Sequence, residues 1–264
     1  MKVISFTNQK GGVGKTTSCF NIGKALSLCG YKVLFIDSDP QGDLSTMGGF
    51  KSVKKGDMTL YDVLHGVDIN RAVKECDGYS MIISDDTLTK AEIDLVKVKR
   101  TVLKESLESL ESDFDYVFID CPPSLNVLTV DALTASDEII IPVQAQYLPL
   151  KGVARLKETV EKVRLELNPR LKIGGVIMTF FDSRRNLDHE VRESLEKVFK
   201  AKVFETAIST NTKIAEAPSF GKSVLDYAPR SKGALQYKAI AQELISGHET
   251  TEKKKGKKKR KEVK

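Results

Sequence analysis

"NQKGGVGKTT", residues 8–17, lies between an apolar run, "KVISFTN" (2–8), and a helix-forming stretch from Thr16 to Leu28. A strand, a glycine-rich turn and a helix in that order form the setting in which G-x-x-x-x-G-K-[ST] cradles phosphate. Gly14-Lys15-Thr16 satisfies the closing half of that pattern, but Gln9 stands where the opening glycine belongs. Lys10 follows it, so the loop carries a second lysine at its mouth. Gly11, Gly12 and Gly14 let backbone N–H groups turn inward around phosphate oxygens without Cβ clashes. The helix starting near Lys15 adds its positive end. Lys15 is expected to pair with the β- and γ-phosphates, and the Thr16 hydroxyl to hold Mg²⁺. Lys10, Gly11, Gly12, Val13, Gly14, Lys15, Thr16 and Thr17 together are assigned to nucleotide binding.

Outward from this loop, short apolar runs recur at "KVLFIDSD" (32–39), "YVFID" (116–120), "EIIIPV" (138–143) and "IGGVIMT" (173–179). They lack clean alternation, as expected of parallel strands covered on both faces. Between them apolar residues step at three and four: Val153, Leu156, Val160, Val163 and Leu167; Val191, Leu195, Val198 and Phe199; Leu235, Ala239, Ile240 and Leu244. Strands alternating with such helices predict an α/β fold, a mostly parallel sheet with helices on both faces. Its ligand belongs beyond the carboxyl ends of the strands. Residues 50–100 are charge-rich and irregular and read as a peripheral insertion.

Bulk composition narrows the function. The 264 residues suffice for one large α/β domain, and 41% hydrophobic with 30% charged residues is ordinary for a globular protein. Four scattered cysteines without a C-x-x-C pair point to neither zinc nor a disulfide framework. The start "MKVISFTNQK" lacks the layout of a signal peptide, so the expected location is cytoplasmic. The net charge of +6 is unevenly placed: residues 251–264, "TEKKKGKKKRKEVK", hold nine Lys/Arg against two Glu, and the other 250 residues carry 33 basic and 34 acidic groups. The expected division is a single domain over 1–247 and a disordered lysine-rich tail over 248–264.

Two acidic strand ends complete the candidate site. "YVFID" ends in Asp120, placed to hold magnesium as a Walker-B-type acid. "FIDSDPQGD" offers Asp37, Asp39 and Asp43, one of which is expected to organise the attacking water. "KGGVGKTT", "DSDPQGD", "FIDCPPS", "TFFDSRRNLDHEV" and "IAEAPSFGKSVLDYAPRSKGALQY", in this order, resemble the ParA (Soj) family of DNA-partitioning ATPases. That resemblance, running from residue 1 to about 246, implies a P-loop ATPase of the deviant Walker A type with ATP and Mg²⁺ as cofactors. It makes Lys10 a signature lysine reaching the partner subunit's ATP, so that ATP drives a homodimer, and Lys10, Lys15 and Asp39 the catalytic set. Asp39 is picked to position the hydrolytic water, and Asp37 to support the strand end. Met178 and Thr179, ending a strand on the binding side, are expected beside the adenine.

The resemblance further implies that the dimer binds duplex DNA without sequence preference, associates with the nucleoid and is stimulated by a ParB-type partner. Arg184, Arg185, Lys213, Lys222, Arg230 and Lys232 are the candidate DNA contacts. "STNTK" (209–213) stands where the family often carries "PRNVR", which alters one of those contacts and the border of the adenine site. A MinD-like regulator acting at a membrane or scaffold is the alternative. Only Val263 is apolar in the last fourteen residues, however, which gives a membrane-inserting helix nothing to insert and argues against integral membrane association.

Overall fold

The five apolar runs become β1 (Lys2–Phe6), β2 (Val33–Asp37), β5 (Tyr116–Asp120), β6 (Glu138–Gln144) and β7 (Lys172–Thr179). In the computed structural model, which describes residues 1–94, 100–145, 149–199 and 202–262, they join β3 (Lys74–Cys76) and β4 (Tyr79–Ile82) in one sheet. Among the described residues the strand order is β3-β4-β2-β5-β1-β6-β7, with only the β3–β4 pair antiparallel. Every residue of β2 and β5 is buried, as sheet covered on both faces requires.

Alternation along each strand divides the core. Phe35 and Phe118 face a cluster formed with Cys19, Phe20, Ile22, Leu26, Tyr237 and Ile240 of α1 (Lys15–Leu28) and α11 (Lys232–Glu262). Their neighbours Leu34, Ile36, Val117 and Ile119 point to the other face, toward α5 (Val102–Glu108) and α6 (Val127–Ala135). A third cluster joins Ile139, Ile141, Val176 and Met178 to α7 (Pro149–Glu166) and α8 (Asn186–Phe199). Gly23 explains how α1 lies so close to the sheet: a Cβ there would overlap the Phe35 ring.

Several expectations need correction. Residues 50–100 are not peripheral. β4 pairs with β2 in parallel, and α3 (Leu60–Leu64) buries Leu60 completely, as the sheet buries Ile82. Strands of three and four residues carry too few positions for a period to show. The helical stripes are shifted too: Val198 and Leu235 are 48% and 56% exposed, while Ala234, Tyr237, Ile240, Ala241 and Leu244 form the buried face of α11. Leu156, Val160 and Val163 are buried as expected, and the Val153 side chain lies outside the described residues. The lysine-rich tail expected over 248–264 has its side chains beyond His248 outside the described residues.

Candidate nucleotide site

The glycine loop closes on α1 through two left-handed residues, Gly12 (φ 71°) and Gly14 (φ 83°), a conformation side chains resist. It is tied to the sheet on two sides. Asn8 donates from Nδ2 to the Pro142 carbonyl at 2.7 Å while its Oδ1 accepts from the Lys10 N–H at 3.1 Å. The Thr179 hydroxyl donates to the Val13 carbonyl at 2.8 Å, fixing the loop against the end of β7. The two lysines of the loop occupy opposite environments: Lys15 is buried, 7% exposed, and Lys10 is exposed.

Parallel register brings the acidic strand ends together, with Phe6, Asp37 and Asp120 at one level. The Thr16 hydroxyl donates to Asp120 Oδ2 at 2.6 Å. Asp120 is fully buried and its other oxygen, Oδ1, has no hydrogen-bond partner. Burial, then the nearby Asp37 charge, pushes the Asp120 carboxyl well above its usual range, against the opposing pull of Thr16 and Lys15. A buried carboxylate oxygen without a donor is costly. A divalent cation at Thr16 and Asp120 would remove that cost, so the residues present fit Mg²⁺.

Asp37 is satisfied within the protein. It accepts from the Ser45 hydroxyl at 2.7 Å and from the N–H groups of Ser45 at 2.8 Å and Asp39 at 3.2 Å. Burial still raises its carboxyl to about 7. It anchors the short helix α2 (Asp43–Met47), as a strand-end support would. Asp39 lies one step further toward the loop, 8% exposed. Its Oδ1 accepts from the Gln41 N–H at 3.0 Å and its carbonyl from the Ser84 hydroxyl at 2.9 Å, so its placement is fixed from both sides. Asp43, also raised by burial, feels both Asp39 and Lys15.

Beside the loop opens a cavity of about 420 Å³ lined by Gly14, Thr17, Thr179, Phe180, Ser209 and Asn211, among others. Its size and position suit a purine base attached to phosphates on the loop. Thr179 lines it as expected. Met178 does not: strand alternation turns its side chain to the opposite face, into the core with Val191 and Leu195. Sequence reasoning missed Asn8, Ser45, Ser84 and Phe180. Each acts through a partner distant in sequence, although Phe180, with φ 54°, immediately follows a strand end already singled out.

The basic candidates separate into groups. Arg184, Arg185 and Lys232 line one groove of about 440 Å³ with Asp182, Ser209 and Thr210. Lys213, on α9 (Thr212–Glu216), pairs with Glu216 at 2.7 Å and sits over the Tyr227 ring. Lys222 and Arg230 are exposed and do not line that groove.

A phosphate loop on a helix N-terminus, a hydroxyl–carboxylate pair fit for magnesium and a base cavity, all at the carboxyl ends of parallel strands, define a P-loop ATPase. A family model described as an AAA domain matches residues 1–173. The chain is 44% identical over 253 residues to the chromosome partitioning protein ParA of Caulobacter vibrioides, covering 93% of this chain and 94% of that protein. It is 43% identical to the sporulation initiation inhibitor protein Soj of Bacillus subtilis, covering 93% and 98%. The solved structure of a cobyrinic acid a,c-diamide synthase from Mycobacterium smegmatis, with bound ADP and magnesium, superposes with a TM-score of 0.83 at 32% identity, covering 95% and 96%. The chain belongs to the ParA/Soj family of chromosome-partitioning ATPases.

Proposed function

We propose that this ATPase is a nucleotide-driven DNA-partitioning switch. ATP and Mg²⁺ assemble a two-fold dimer, the dimer binds duplex DNA without sequence preference, and hydrolysis releases it. The observation that carries the reading is the contrast between the two lysines of one loop. Lys15 is buried at the start of α1, and Lys10 is exposed at the loop mouth. MgATP leaves about −2 of charge near the triphosphate, which Lys15 offsets only in part. A second cation arriving from a partner chain neutralises more, so ATP favours a face-to-face dimer and loss of the γ-phosphate weakens it.

In the reaction, the loop N–H groups and Lys15 bind the phosphates. Thr16 Oγ1 and Asp120 would hold Mg²⁺, which would supply charge neutralisation. The Asp39 carboxylate accepts a hydrogen bond from the attacking water and aims its oxygen at the γ-phosphorus. The water oxygen bonds to the γ-phosphorus as the bond to the β–γ bridging oxygen breaks, and the water's proton passes through the phosphate to solvent, leaving ADP and phosphate. A ParB-type partner stimulates this step. DNA binding holds the protein on the nucleoid, and no helix among the described residues is long and apolar enough to cross a membrane.

The test is binding to a random-sequence duplex at one fixed salt concentration, with ATP and then with ADP. Binding with ATP alone is expected. Equal binding in both states would overturn the switch, and no binding in either would bring the membrane or scaffold alternative forward.

A further inference from the structure

The groove that gathers Arg184, Arg185 and Lys232 also holds one carboxylate, Asp182, and that carboxylate is already engaged. Arg184 donates to it through a fork, Nε to Oδ1 and Nη2 to Oδ2, both at 2.9 Å. Arg185 Nε lies 3.7 Å from Oδ2. The Arg184 N–H gives the carboxylate a third hydrogen bond, at Oδ1 and 3.1 Å, and the Arg185 N–H donates to the Asp182 carbonyl at 3.0 Å. Asp182 is itself held in place, its N–H donating to Asp188 Oδ2 at 2.7 Å, and His189 fixes the neighbouring Ser183 carbonyl at 2.9 Å. The arginines stay open to an incoming ligand: their side chains are 87% and 66% exposed, against 23% for Asp182.

A guanidinium fork fits a carboxylate and a phosphate diester by the same two-point geometry. An arginine gripped by Asp182 must therefore leave it before gripping DNA. We propose that Asp182 is a built-in competitor of the DNA backbone, occupying Arg184 and Arg185 as a phosphate would and so holding the affinity of this groove down. The inference rests on the DNA-binding reading above. The Arg184 hydrogen bonds hold the Asp182 carboxyl well below the usual range, so the competing charge persists at physiological pH. The loop is also near the nucleotide. Thr179, bonded to the Val13 carbonyl of the phosphate loop, is three residues from Asp182, and Phe180 between them lines the base cavity.

Asp182→Asn tests the inference, because an amide keeps an acceptor for the Arg184 N–H and removes the charge. Random-sequence duplex binding with ATP would be measured across a salt series for four proteins: wild type, Asp182→Asn, Arg184→Ala/Arg185→Ala, and the triple variant. Asp182→Asn is expected to bind about three- to fivefold tighter near roughly 0.1 M salt and to steepen the log–log salt slope by about 0.9, one more phosphate neutralised. The gain is expected to vanish in the triple variant, while thermal midpoint and basal ATP turnover stay at wild-type values in Asp182→Asn. A gain that persists without the two arginines would be a general charge effect and would overturn the proposal. Unchanged binding in Asp182→Asn, with weaker binding in Arg184→Ala/Arg185→Ala, would overturn it and leave the DNA reading standing. Failure of all four proteins to bind would remove both.

Discussion

Asp37, Asp39 and Asp120 are chemically alike, and their surroundings separate their roles. Asp37 has donors on both oxygens and is spent on the fold. Asp120 has one oxygen without a hydrogen-bond partner and takes its one donor from Thr16 of the phosphate loop, and it is that neighbour at the loop that fits it to a cation bound with phosphate. Asp39 has one oxygen held by the Gln41 N–H, and on the proposed mechanism its carboxylate takes the attacking water. Asp39→Ala is therefore expected to bind ATP within about threefold of wild type while turnover falls at least about a hundredfold, the scale of losing a positioned proton acceptor. Nucleotide titration and single-turnover phosphate release measure the two effects separately. Wild-type turnover in that variant would remove Asp39 from the mechanism. The local sequence "FIDSDPQGD" disclosed that acids gather here. Which acid does what depends on Ser45 and Ser84, and no short-range pattern reaches those partners.

Among the elements, α6 shows how a functional-looking acid can be structural. Asp131, 2% exposed, sits mid-helix and accepts from the Leu103 N–H at 3.2 Å, capping the start of α5. Its Oδ1 is buried without a partner. Burial raises its carboxyl to about 6, countered by the Leu103 and Val102 N–H groups and assisted by the Glu105 charge. The folded state thus holds this proton more tightly than the unfolded chain, where an aspartate titrates near 3.9. Stability is fully present below about pH 4 and falls as pH rises through about 6, by roughly 2–3 kcal/mol in all. Asp131→Asn keeps the acceptor and removes the ionisation, so its stability relative to wild type should rise across that window. Urea unfolding of both proteins at pH 4 to 7 reads the difference, and parallel curves would show that Asp131 ionises freely in the fold. Nothing in "VLTVDALTA" announced this cap. The same limit concealed β3 and β4, too short to show a period, whereas the five longer runs and the glycine loop were legible because their signals are local.

On the scale of the whole molecule, the sheet sends its two ends to different tasks. The phosphate loop, base cavity and acids lie at the carboxyl ends of the strands, and α11 starts beside them, with Lys232 in the arginine groove. It then packs Tyr237, Ile240 and Leu244 along the sheet and reaches the opposite end at His248, where Nε2 meets Glu138 Oε2 at 3.0 Å at the start of β6. Residues 1–250 carry 33 basic and 34 acidic groups, so the proposed attraction to DNA would depend on where charge gathers and not on its sum. Residues 251–264 carry nine further cations against two glutamates. On the proposed reading two electrostatic contributions are expected, one from the groove, linked to the phosphate loop and base cavity through Thr179 and Phe180, and one from the charge of residues 251–264. Removing residues 251–264 should lower affinity for random-sequence duplex and reduce the salt slope by about 0.9 for each phosphate the segment neutralises. The ratio of binding with ATP to binding with ADP should hold or rise, because the contribution lost is the one common to both states. Salt-series binding of the full and shortened chains in both nucleotides decides it. Identical affinities and slopes would make the segment a bystander to DNA, and a ratio that collapses to one would place the nucleotide response in the segment and away from the folded site.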